Sequence, residues 1–480
     1  MGSPWYGQRS RRVWAALAAV WAGLTCLAVG SCQTRQEVQP PLAIEVEANE
    51  NFVTIRSDRL EAGQVVTVTL IPPGTGSPEL DRAPDFFGLA GVQLAWLPDG
   101  QRSKEAQFAA ASGARTIGLD FEWRRIEPEQ DIFDWQVTDD VVVVAKRHGL
   151  RLVPMLPYTP RWASSAPEAL LDSHLYPPTN YDDYRDFVYH VVERYRPYGV
   201  SPLTRDGYGI SDWVIWNEPA AYPAGPAAPQ HNEFWAGGME AYVLLLRAGY
   251  EGAHAADPNC NVLNGGLADA TWLGEEFALP GMVERLYDPD GDGNSADGGR
   301  PYFDTLNIHT YPPGRPDSTW YTECLTAVRA VMERFDDAGK AIWLTETGYG
   351  TAANPPGSSY LSEADQARGV AVTYQACAEF PYVERVLWWS LRDYYRDDSA
   401  ANPAMEAHFG LLRASFAPKL SFFAYSRLTG AAGEPRSWVV QTDADGTARL
   451  EVPADFPRDG RTLVFAVRGD GATALAEMER

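Results

Sequence analysis

Two glutamates stand at equivalent places in two similar stretches of this 480-residue chain. Glu218 follows the apolar run in DWVIWNEP (212–219), and Glu346 follows the one in AIWLTETG (341–348). Such runs are typical of buried strands, and Pro219, which cannot donate a ladder hydrogen bond, ends the first of them. Two carboxyl groups in one site can divide the work between a proton donor and a nucleophile, because the charge of one raises the proton affinity of the other.

The elements that would position these glutamates are read from residues 86–430, where apolar strand candidates alternate with amphipathic helix candidates. Eight strands alternating with helices is the count of a closed parallel barrel, so we predict an α/β fold of the (β/α)₈ type. A doubly wound open sheet would need a glycine-rich phosphate loop after the first strand, and the sequence has none there. The strands are predicted at 91–96, 115–123, 150–157, 212–216, 261–266, 303–311, 341–345 and 385–391, and helices at 101–114, 139–148, 181–195, 239–256, 321–338 and 362–380.

In such a barrel the site lies at the C-terminal ends of the strands. The residues found there are carboxylates, aromatics and amides, without metal-ligand spacing or a Gly-x-Ser-x-Gly elbow. Two carboxylates among aromatic side chains favour cleavage of a glycosidic bond, in which one carboxyl protonates the leaving oxygen and the other attacks the anomeric carbon. The strand-end residues are Asp120, Glu122, Trp123, Tyr158, Trp162, Asn217, Glu218, His309, Tyr311, Glu346, Trp388 and Trp389.

Several of these motifs resemble a known clan. WNEP (216–219), HTY (309–311) and TETG (345–348) are similar to those of the retaining β-glycosidases on (β/α)₈ barrels. PYTPRWAS (157–164), WRRIEP (123–128) and FDW (133–135) look most like glycoside hydrolase family 39, with families 5 and 42 close behind. The resemblance covers the whole barrel, and its motifs agree in both residue type and strand order.

The resemblance implies roles for the matched residues. Glu218 would be the general acid/base, Glu346 the nucleophile and Asn217 a partner of the sugar 2-hydroxyl. Tyr311 would orient Glu346, and His309 would line the same subsite. The aromatic residues expected to contact substrate are Trp388 or Trp389 as the floor under the sugar ring, with Trp162 and Trp123 as further candidates.

One position departs from the family pattern. Family members usually carry an arginine on strand two that supports the nucleophile, and Gly118 stands at the expected place. Either Arg115, Arg124 or Arg125 replaces that arginine, or the nucleophile lacks its support and activity is weak or lost.

Each assignment has a structural alternative. A lone strand-end glutamate is usually solvated or salt-bridged, and Asn217 could be a turn residue before its proline. His309 and Tyr311 could be core residues with satisfied polar atoms. Trp388 and Trp389 point to opposite faces of a regular strand, so only one of them can face the barrel mouth.

The first 32 residues predict an export signal. Arg9, Arg11 and Arg12 precede an apolar run at 13–30, and VGSC (29–32) resembles a lipobox that would make Cys32 a lipidated first residue. SRRVW (10–14) resembles a twin-arginine signal, and an ordinary cleaved signal or an uncleaved anchor remains an alternative. We therefore expect an exported protein, lipid-anchored at the cell surface or else secreted.

At both ends of the chain, runs in which apolar and polar residues alternate predict the remaining domain organisation. After the signal (1–32) we predict a tether with accessory strands (33–85), the barrel (86–430) and C-terminal accessory strands (431–480). Runs at 43–55 and 64–71 predict a hairpin, and runs at 437–441, 447–452 and 461–467 predict three more strands. Either end alone is too short to bury much, so we expect the two to pack together.

Charge and cysteine content limit the partners. A formal net charge of −24 argues against nucleic acid or an anionic membrane surface, which demand clustered Lys and Arg. Beyond the signal, Cys260, Cys324 and Cys377 are too few for a disulfide framework; at most one bridge, between Cys324 and Cys377, could form, and small core residues are the safer interpretation.

One acidic loop has the opening spacing of a Ca²⁺ site. DPDGDGN (288–294) places Asp288, Asp290 and Asp292 at alternate positions with a glycine sixth, but the twelfth position is Gly299 instead of glutamate. A solvated acidic loop is therefore favoured over a weak metal site, and no cofactor is expected.

Two functions follow. The favoured one is a retaining β-glycosidase acting on a poly- or oligosaccharide, and the rival is a non-catalytic carbohydrate-binding surface lipoprotein on a glycosidase-like barrel. The first requires the two carboxyl groups to face each other across about 5 to 5.5 Å. The sequence does not identify the sugar, because related sugars differ by one hydroxyl or hydroxymethyl group that loop side chains recognise.

Overall fold

The computed structural model describes residues 45–49, 51–56, 62–75, 78–168, 173–219, 234–269, 278–293, 295–351, 361–394, 408–457, 462–468 and 473–478. The predicted export signal, with Cys32, lies outside the described residues. The strands are β1 (Glu45–Ala48), β2 (Phe52–Arg56), β3 (Val65–Ile71), β4 (Phe87–Ala90), β5 (Thr116–Asp120), β6 (Arg151–Met155), β7 (Asp212–Ile215), β8 (Asn261–Asn264), β9 (Leu306–His309), β10 (Ile342–Thr347), β11 (Val383–Trp389), β12 (Arg436–Gln441), β13 (Ala448–Glu451), β14 (Thr462–Arg468) and β15 (Thr473–Met478). The α-helices are α1 (Asp99–Ala111), α2 (Trp123–Ile126), α3 (Gln136–Arg147), α4 (Tyr181–Tyr195), α5 (Met239–Ala256), α6 (Leu279–Tyr287), α7 (Ser318–Arg334), α8 (Glu363–Ala378) and α9 (Leu420–Leu428).

The central sheet confirms the predicted barrel. Its strands run parallel in the order β8-β7-β6-β5-β4-β11-β10-β9, and helices cover its outer side. Single bridges between Leu263 and Thr305 and between Leu267 and Ile308 join β8 to β9 and complete the circle. Because all strands point the same way, the residues that follow them meet at one mouth.

The barrel interior is filled by side chains from strands that are not neighbours. Val153, Met155, Val214, Leu263 and Trp343 form one buried cluster. Since β6 and β10 lie on opposite sides of the sheet order, these side chains meet only across the inside of the barrel. The packed interior supports the residues of the mouth from below.

Capping residues fix the starts of several barrel helices. The Asn180 side chain accepts a hydrogen bond from the backbone N–H of Asp182 at the start of α4, and Asp317 does the same for Thr319 in α7. At α8, Ser362 and Asp365 form a reciprocal capping box. Each cap satisfies a backbone N–H that the first helical turn leaves unpaired.

The first barrel strand was predicted in the wrong place. We expected it at 91–96, but the strand is β4 at Phe87–Ala90, and residues 94–96 form a short 3₁₀ helix. Gly91 takes a φ of +59°, which ends the strand directly after its four buried residues. Helices α2, α6 and α9 were not predicted.

The accessory unit is built from both ends of the chain, as expected, but as two sheets. One has the order β1-β2-β13 and the other β12-β3-β14-β15, with a shared apolar core. The expected hairpin between 43–55 and 64–71 is wrong: β1 and β2 both come from the first run and pair with each other, while β3 pairs with β12 and β14. Phe465 of β14 packs its ring against Phe108 of α1 and Phe422 of α9, which attaches the unit to the barrel.

The three cysteines outside the signal are free thiols. Cys260 and Cys377 are buried, and Cys324 lies with its Sγ 3.9 Å from the Thr310 hydroxyl. Their prediction as small core residues is confirmed, and Cys324 and Cys377 are not bridged. Within the part of the chain that the structure describes, no helix combines the length and the apolar character needed to cross a membrane.

Candidate active site

The two glutamates predicted as a pair lie together at the barrel mouth. Carboxylate oxygens of Glu218 and Glu346 and a ring nitrogen of His309 all lie within 4.8 Å of one another. Glu218 leaves β7 through a strained segment, since Trp216 and Glu218 take φ angles of +71° and +40°. Such left-handed backbone is uncommon outside glycine and is found preferentially where a site is held in a fixed geometry.

A bulge in β10 directs Glu346 toward Glu218. Leu344 pairs with Ile308 and Glu346 pairs with His309, so β10 carries one residue more than β9 over this step. In a regular strand Thr345 and Glu346 would point to opposite faces. With the extra residue, both side chains reach His309.

Glu346 is held by a phenol and an imidazole. The Tyr311 hydroxyl donates a hydrogen bond to Glu346 Oε2 at 2.7 Å, and His309 Nδ1 lies 3.5 Å from the same oxygen. Burial raises the pKa of Glu346 to about 7, and the charge of Glu218 adds to the increase, while His309 and the Tyr311 hydrogen bond oppose it. The predicted role of Tyr311 in orienting Glu346 fits this contact.

His309 lies beneath the carboxylates instead of lining the surface. It is fully buried, with Nδ1 2.7 Å from Glu218 Oε1 and Nε2 2.9 Å from the Thr345 hydroxyl. Burial disfavours the charged imidazolium, but the charges of Glu346 and Glu218 prevail, so the pKa of His309 lies above its ordinary value. The expected sugar contact is thus corrected to a contact with both glutamates.

Among the residues that the structure describes, no arginine takes the place left by Gly118. Arg124 and Arg125 both direct their Nε to Glu122 Oε2, at 2.8 and 3.1 Å. A side chain at Gly118 would meet Leu387, whose Cδ2 lies 3.1 Å from the position of an added Cβ. Among the described residues, Glu346 has no arginine partner.

The tryptophans divide between core and mouth. Trp388 is fully buried with its Nε1 bonded to the Phe409 carbonyl, and Trp123 is fully buried, stacked on Phe187. Both predictions of substrate contact are therefore wrong for these two side chains. Trp389 is partly exposed beside Tyr394, which places it at the mouth as the floor candidate.

Trp162 lies in a different part of the same rim. Its Nε1 donates to the Glu127 carbonyl, and its ring lines a cavity of about 340 Å³ with Glu127, Asp131 and the acidic start of α4. Neither Glu218 nor Glu346 lines this cavity. Trp162 is therefore not brought to the carboxylate pair.

Asn217 and Asp120 are two further polar residues at the mouth. The Asn217 amide oxygen is buried and has no hydrogen bond to the residues that the structure describes. Asp120 lies at the end of β5. Burial raises the pKa of Asp120 to about 7, and the charges of Glu122 and Glu346 add to the increase.

Asn307 and Thr345 lie under Glu218 and Glu346, and neither was predicted from the sequence as a site residue. Thr345 donates its hydroxyl hydrogen to Asn307 Oδ1 at 2.7 Å and contacts His309. Asn307 could have been found, because it stands two residues before His309 and a strand places both on one face. Thr345 could not, because only the bulge brings it to the side of Glu346.

The acidic loop forms the cluster that its spacing predicts. Ligand oxygens of Asp288, Asp290 and Asp292 lie within 4.8 Å of one another. Asp288 already accepts the backbone N–H groups of Gly291 and Gly293. These three residues are the ones that could hold a cation, and the loop's own N–H groups compete for Asp288.

Several solved structures with the same fold are glycoside hydrolases. A family 39 glycoside hydrolase from the gut symbiont Bacteroides cellulosilyticus WH2 is 17% identical over 81% of this chain and 82% of its own, with a TM-score of 0.53. A family 39 β-xylosidase from Caulobacter crescentus is 20% identical over 82% and 79%, with a TM-score of 0.51. A variant of a family 5, subfamily 18 enzyme from Streptomyces cattleya, solved with Manb1-4GlcNAc, is 15% identical over 72% and 79%, with a TM-score of 0.52.

These likenesses include families 39 and 5, which the sequence motifs resemble. No protein-family model matches the chain, and no curated protein does. At such identities the likeness establishes the fold, a (β/α)₈ barrel.

Proposed function

We propose that the protein is a retaining β-glycoside hydrolase that cleaves O-glycosidic bonds of a poly- or oligosaccharide. The observation that carries this proposal is the approach of the Glu218 and Glu346 oxygens to within 4.8 Å. Retaining enzymes hold their two carboxyl groups about 5 to 5.5 Å apart, whereas inverting enzymes leave about 6.5 to 9.5 Å for a water molecule. The spacing supports direct attack by one carboxylate.

The reaction would take two steps. In the first, Glu346 attacks the anomeric carbon while Glu218 gives its proton to the leaving oxygen, and a glycosyl ester forms on Glu346. In the second, a water molecule gives a proton to Glu218 and attacks the same carbon, which breaks the ester and frees Glu346. Each proton that Glu218 loses is thereby returned.

The surroundings support this division of roles. A protonated Glu218 removes the negative charge that raises the proton affinity of Glu346, and the Tyr311 hydroxyl stabilises ionised Glu346. The first step requires Glu346 to be ionised and Glu218 to carry the proton.

Substrate contacts are proposed for two residues. The Asn217 amide oxygen, which has no partner among the described residues, is available to a sugar 2-hydroxyl. Trp389 would form the floor of the sugar site, because aromatic faces stack on the apolar faces of sugar rings. Export, with a lipid at Cys32, would place the enzyme with polysaccharides outside the cell.

Aryl β-glycosides test the proposal. The parent protein should release aryl alcohol from at least one of the β-xyloside, β-glucoside, β-mannoside and β-galactoside, Glu346→Gln should abolish release, and azide should partly restore Glu218→Ala. Glu384→Gln is the matched control, since Glu384 lies near the opposite end of the barrel, bound to Trp343 Nε1, and should leave turnover unchanged. A Glu346→Gln variant as active as the parent would rule out the assigned nucleophile.

One observation favours a second candidate. Because Glu346 lacks an arginine partner within the described chain, a non-catalytic carbohydrate-binding protein on this barrel is the alternative. Sugar binding by calorimetry, without release from any donor in the panel, would establish that alternative.

A further inference from the structure

A continuous set of hydrogen bonds runs from the seam of the barrel to Glu218. It passes through Asn264 of β8, Asn307 of β9, Thr345 of β10 and His309 of β9. The four residues are buried. With water excluded from these bonds, each donor must find its acceptor within the set.

The direction of the first bond is fixed by a carbonyl. Asn307 Nδ2 donates to the backbone oxygen of Asn264 at 3.1 Å. A carbonyl oxygen can only accept, so turning the amide over would place two acceptors against each other. The Oδ1 atom of Asn307 therefore points at Thr345.

The next two bonds follow from that direction. The single hydroxyl hydrogen of Thr345 is donated to Asn307 Oδ1 at 2.7 Å. Thr345 Oγ1 can then only accept from His309 Nε2, which lies 2.9 Å away. His309 must therefore carry a hydrogen on Nε2, and its Nδ1 faces Glu218 Oε1 at 2.7 Å.

We propose that Asn307 and Thr345 are positioning residues that lock His309 in its Nε2–H form, so that His309 Nδ1 and Glu218 share the proton used in glycoside cleavage. A bare Nδ1 and an ionised Glu218 would be two acceptors at hydrogen-bond distance, and one proton between them removes the conflict. The proton therefore stays at this pair at a pH where an isolated carboxyl group has lost it.

This inference rests on the proposed function and extends it to both steps. In the first step the shared proton passes to the leaving oxygen, which leaves the Glu218–His309 pair one proton short. In the second step the same pair takes a proton from the attacking water, because its two acceptors again face each other. The proton count of the pair is the same before and after each turnover.

The charged groups that face His309 come from two parts of the barrel. Glu218 faces it from the segment after β7, and Glu346 faces it from β10. Tyr311, after β9, and Asp120, at the end of β5, act on Glu346 in turn. Thr345 fixes the hydrogen on His309 Nε2 without altering any of these charges.

Three variants of the full chain test whether Thr345 holds His309 in its Nε2–H form, which we call the lock. Thr345→Val removes the acceptor of the Nε2 hydrogen with little change of shape, and Thr345→Ser keeps it. Thr347→Val is the matched control: it is the same change two residues along the strand, where the hydroxyl contacts Tyr321 instead of His309. Melting curves establish that each variant is folded.

The kinetic readout separates a proton role from a structural one. The pH profile of kcat/KM is measured on a phenyl β-glycoside, whose leaving group needs a proton, and on a dinitrophenyl β-glycoside, which does not. For Thr345→Val on the phenyl substrate, we expect the alkaline limb of the profile to shift to lower pH by about one unit. One pKa unit corresponds to the free energy of about one hydrogen bond. The dinitrophenyl rate should stay unchanged, and Thr345→Ser and Thr347→Val should follow the parent on both substrates. Superimposed Thr345→Val and parent profiles, or equal loss on both substrates, would overturn the proposal.

A spectroscopic readout does not depend on turnover. In protein labelled with ¹⁵N-histidine, with the His309 signals assigned through His309→Gln, the neutral ring should carry its hydrogen on Nε2 in the parent and on Nδ1 in Thr345→Val. If the parent releases no aryl alcohol, the proposed function fails while this result still decides whether the lock exists. A parent ring with its hydrogen on Nδ1 contradicts the lock whatever the activity.

Discussion

The hydroxyl of Tyr311 donates to Oε2 of Glu346 across 2.7 Å, and this is the hydrogen bond that stabilises the ionised carboxylate. In the relatives that the sequence resembles, an arginine would share this task, but here Gly118 occupies its place. The phenol therefore carries a larger part of the support of the Glu346 carboxylate.

Replacing Tyr311 by Phe should consequently lower kcat/KM by roughly 10- to 100-fold, the range for one hydrogen bond to a charged group. Because the lost bond favoured the charged form, the pKa of Glu346 should rise and the acid limb of the pH profile should move upward. Activity loss should therefore be larger at pH 6 than at pH 8. Tyr321→Phe removes a buried hydroxyl bound to Thr347 and Thr373, and it should leave the acid limb in place. Equal loss at both pH values in Tyr311→Phe would argue against this role.

Gly266 leaves room for His309. A Cβ added at Gly266 would lie 1.9 Å from His309 Nε2, closer than atoms can approach. Gly266→Ala should displace the imidazole from both glutamates and reduce kcat/KM by about 100-fold, as misplacements of about 1 Å can. Gly339→Ala, where no atom lies within 4 Å of the added carbon, is the control and should be as active as the parent. Full activity in Gly266→Ala would show that His309 has another way to reach Glu218.

The barrel could be predicted from the sequence because apolar residues recur at different spacings in its strands and in its helices. Helices α4 and α5 have the predicted bounds, since their apolar residues recur at helical spacing over 15 and 18 residues. The first strand could not be placed, because its four residues are uniformly apolar and a second apolar stretch follows Gly91 directly. Short buried strands carry no alternation that would separate one from the other.

Only those features of the site that depend on local sequence patterns could be predicted. Strand order brought Glu218 and Glu346 to one mouth, but the bulge that turns Thr345 and Glu346 toward His309 depends on pairing with β9. Because side chains alternate along β11, only one of Trp388 and Trp389 can face the mouth. The sequence does not say which one, and the structure decides it because Trp388 is buried. Contacts between distant strands, such as Asn307 with Thr345, have no local signature.

The acidic loop should bind Ca²⁺ weakly. Asp288, Asp290 and Asp292 stand close enough to share a cation, but Gly299 replaces the bidentate glutamate that closes such loops. Calorimetric titration with CaCl₂ should therefore give no heat at micromolar metal, and the melting temperature should not change after chelation. A micromolar dissociation constant that Asp290→Asn removes would show that other residues complete the site.

The N-terminal prediction concerns residues outside the described structure. If the VGSC motif is a lipobox, the mature protein from a bacterial host begins with a diacylated Cys32. Mass spectrometry of the mature N-terminus should find that modification, and Cys32→Ser should release the protein from the membrane fraction. An unmodified first residue beyond Cys32 would contradict lipidation and favour an ordinary cleaved signal.

Asp120 should make the stability of the protein depend on pH. Burial raises the pKa of Asp120 to about 7, with added repulsion from Glu122 and Glu346, while in the unfolded chain an aspartate has a pKa near ~3.9. Between these values the folded protein keeps a proton that the unfolded chain has lost, so this group's contribution to stability is full below about pH 4 and falls as the pH rises to about 7. Asp120→Asn removes the dependence without removing the side chain. We therefore expect the variant to melt with the parent at pH 4 and roughly 2–4 °C above it at pH 8, measured by calorimetry at several pH values. A difference that is constant across this range would mean that the parent carboxyl group is ionised throughout, and that its neighbours do not hold a proton on it.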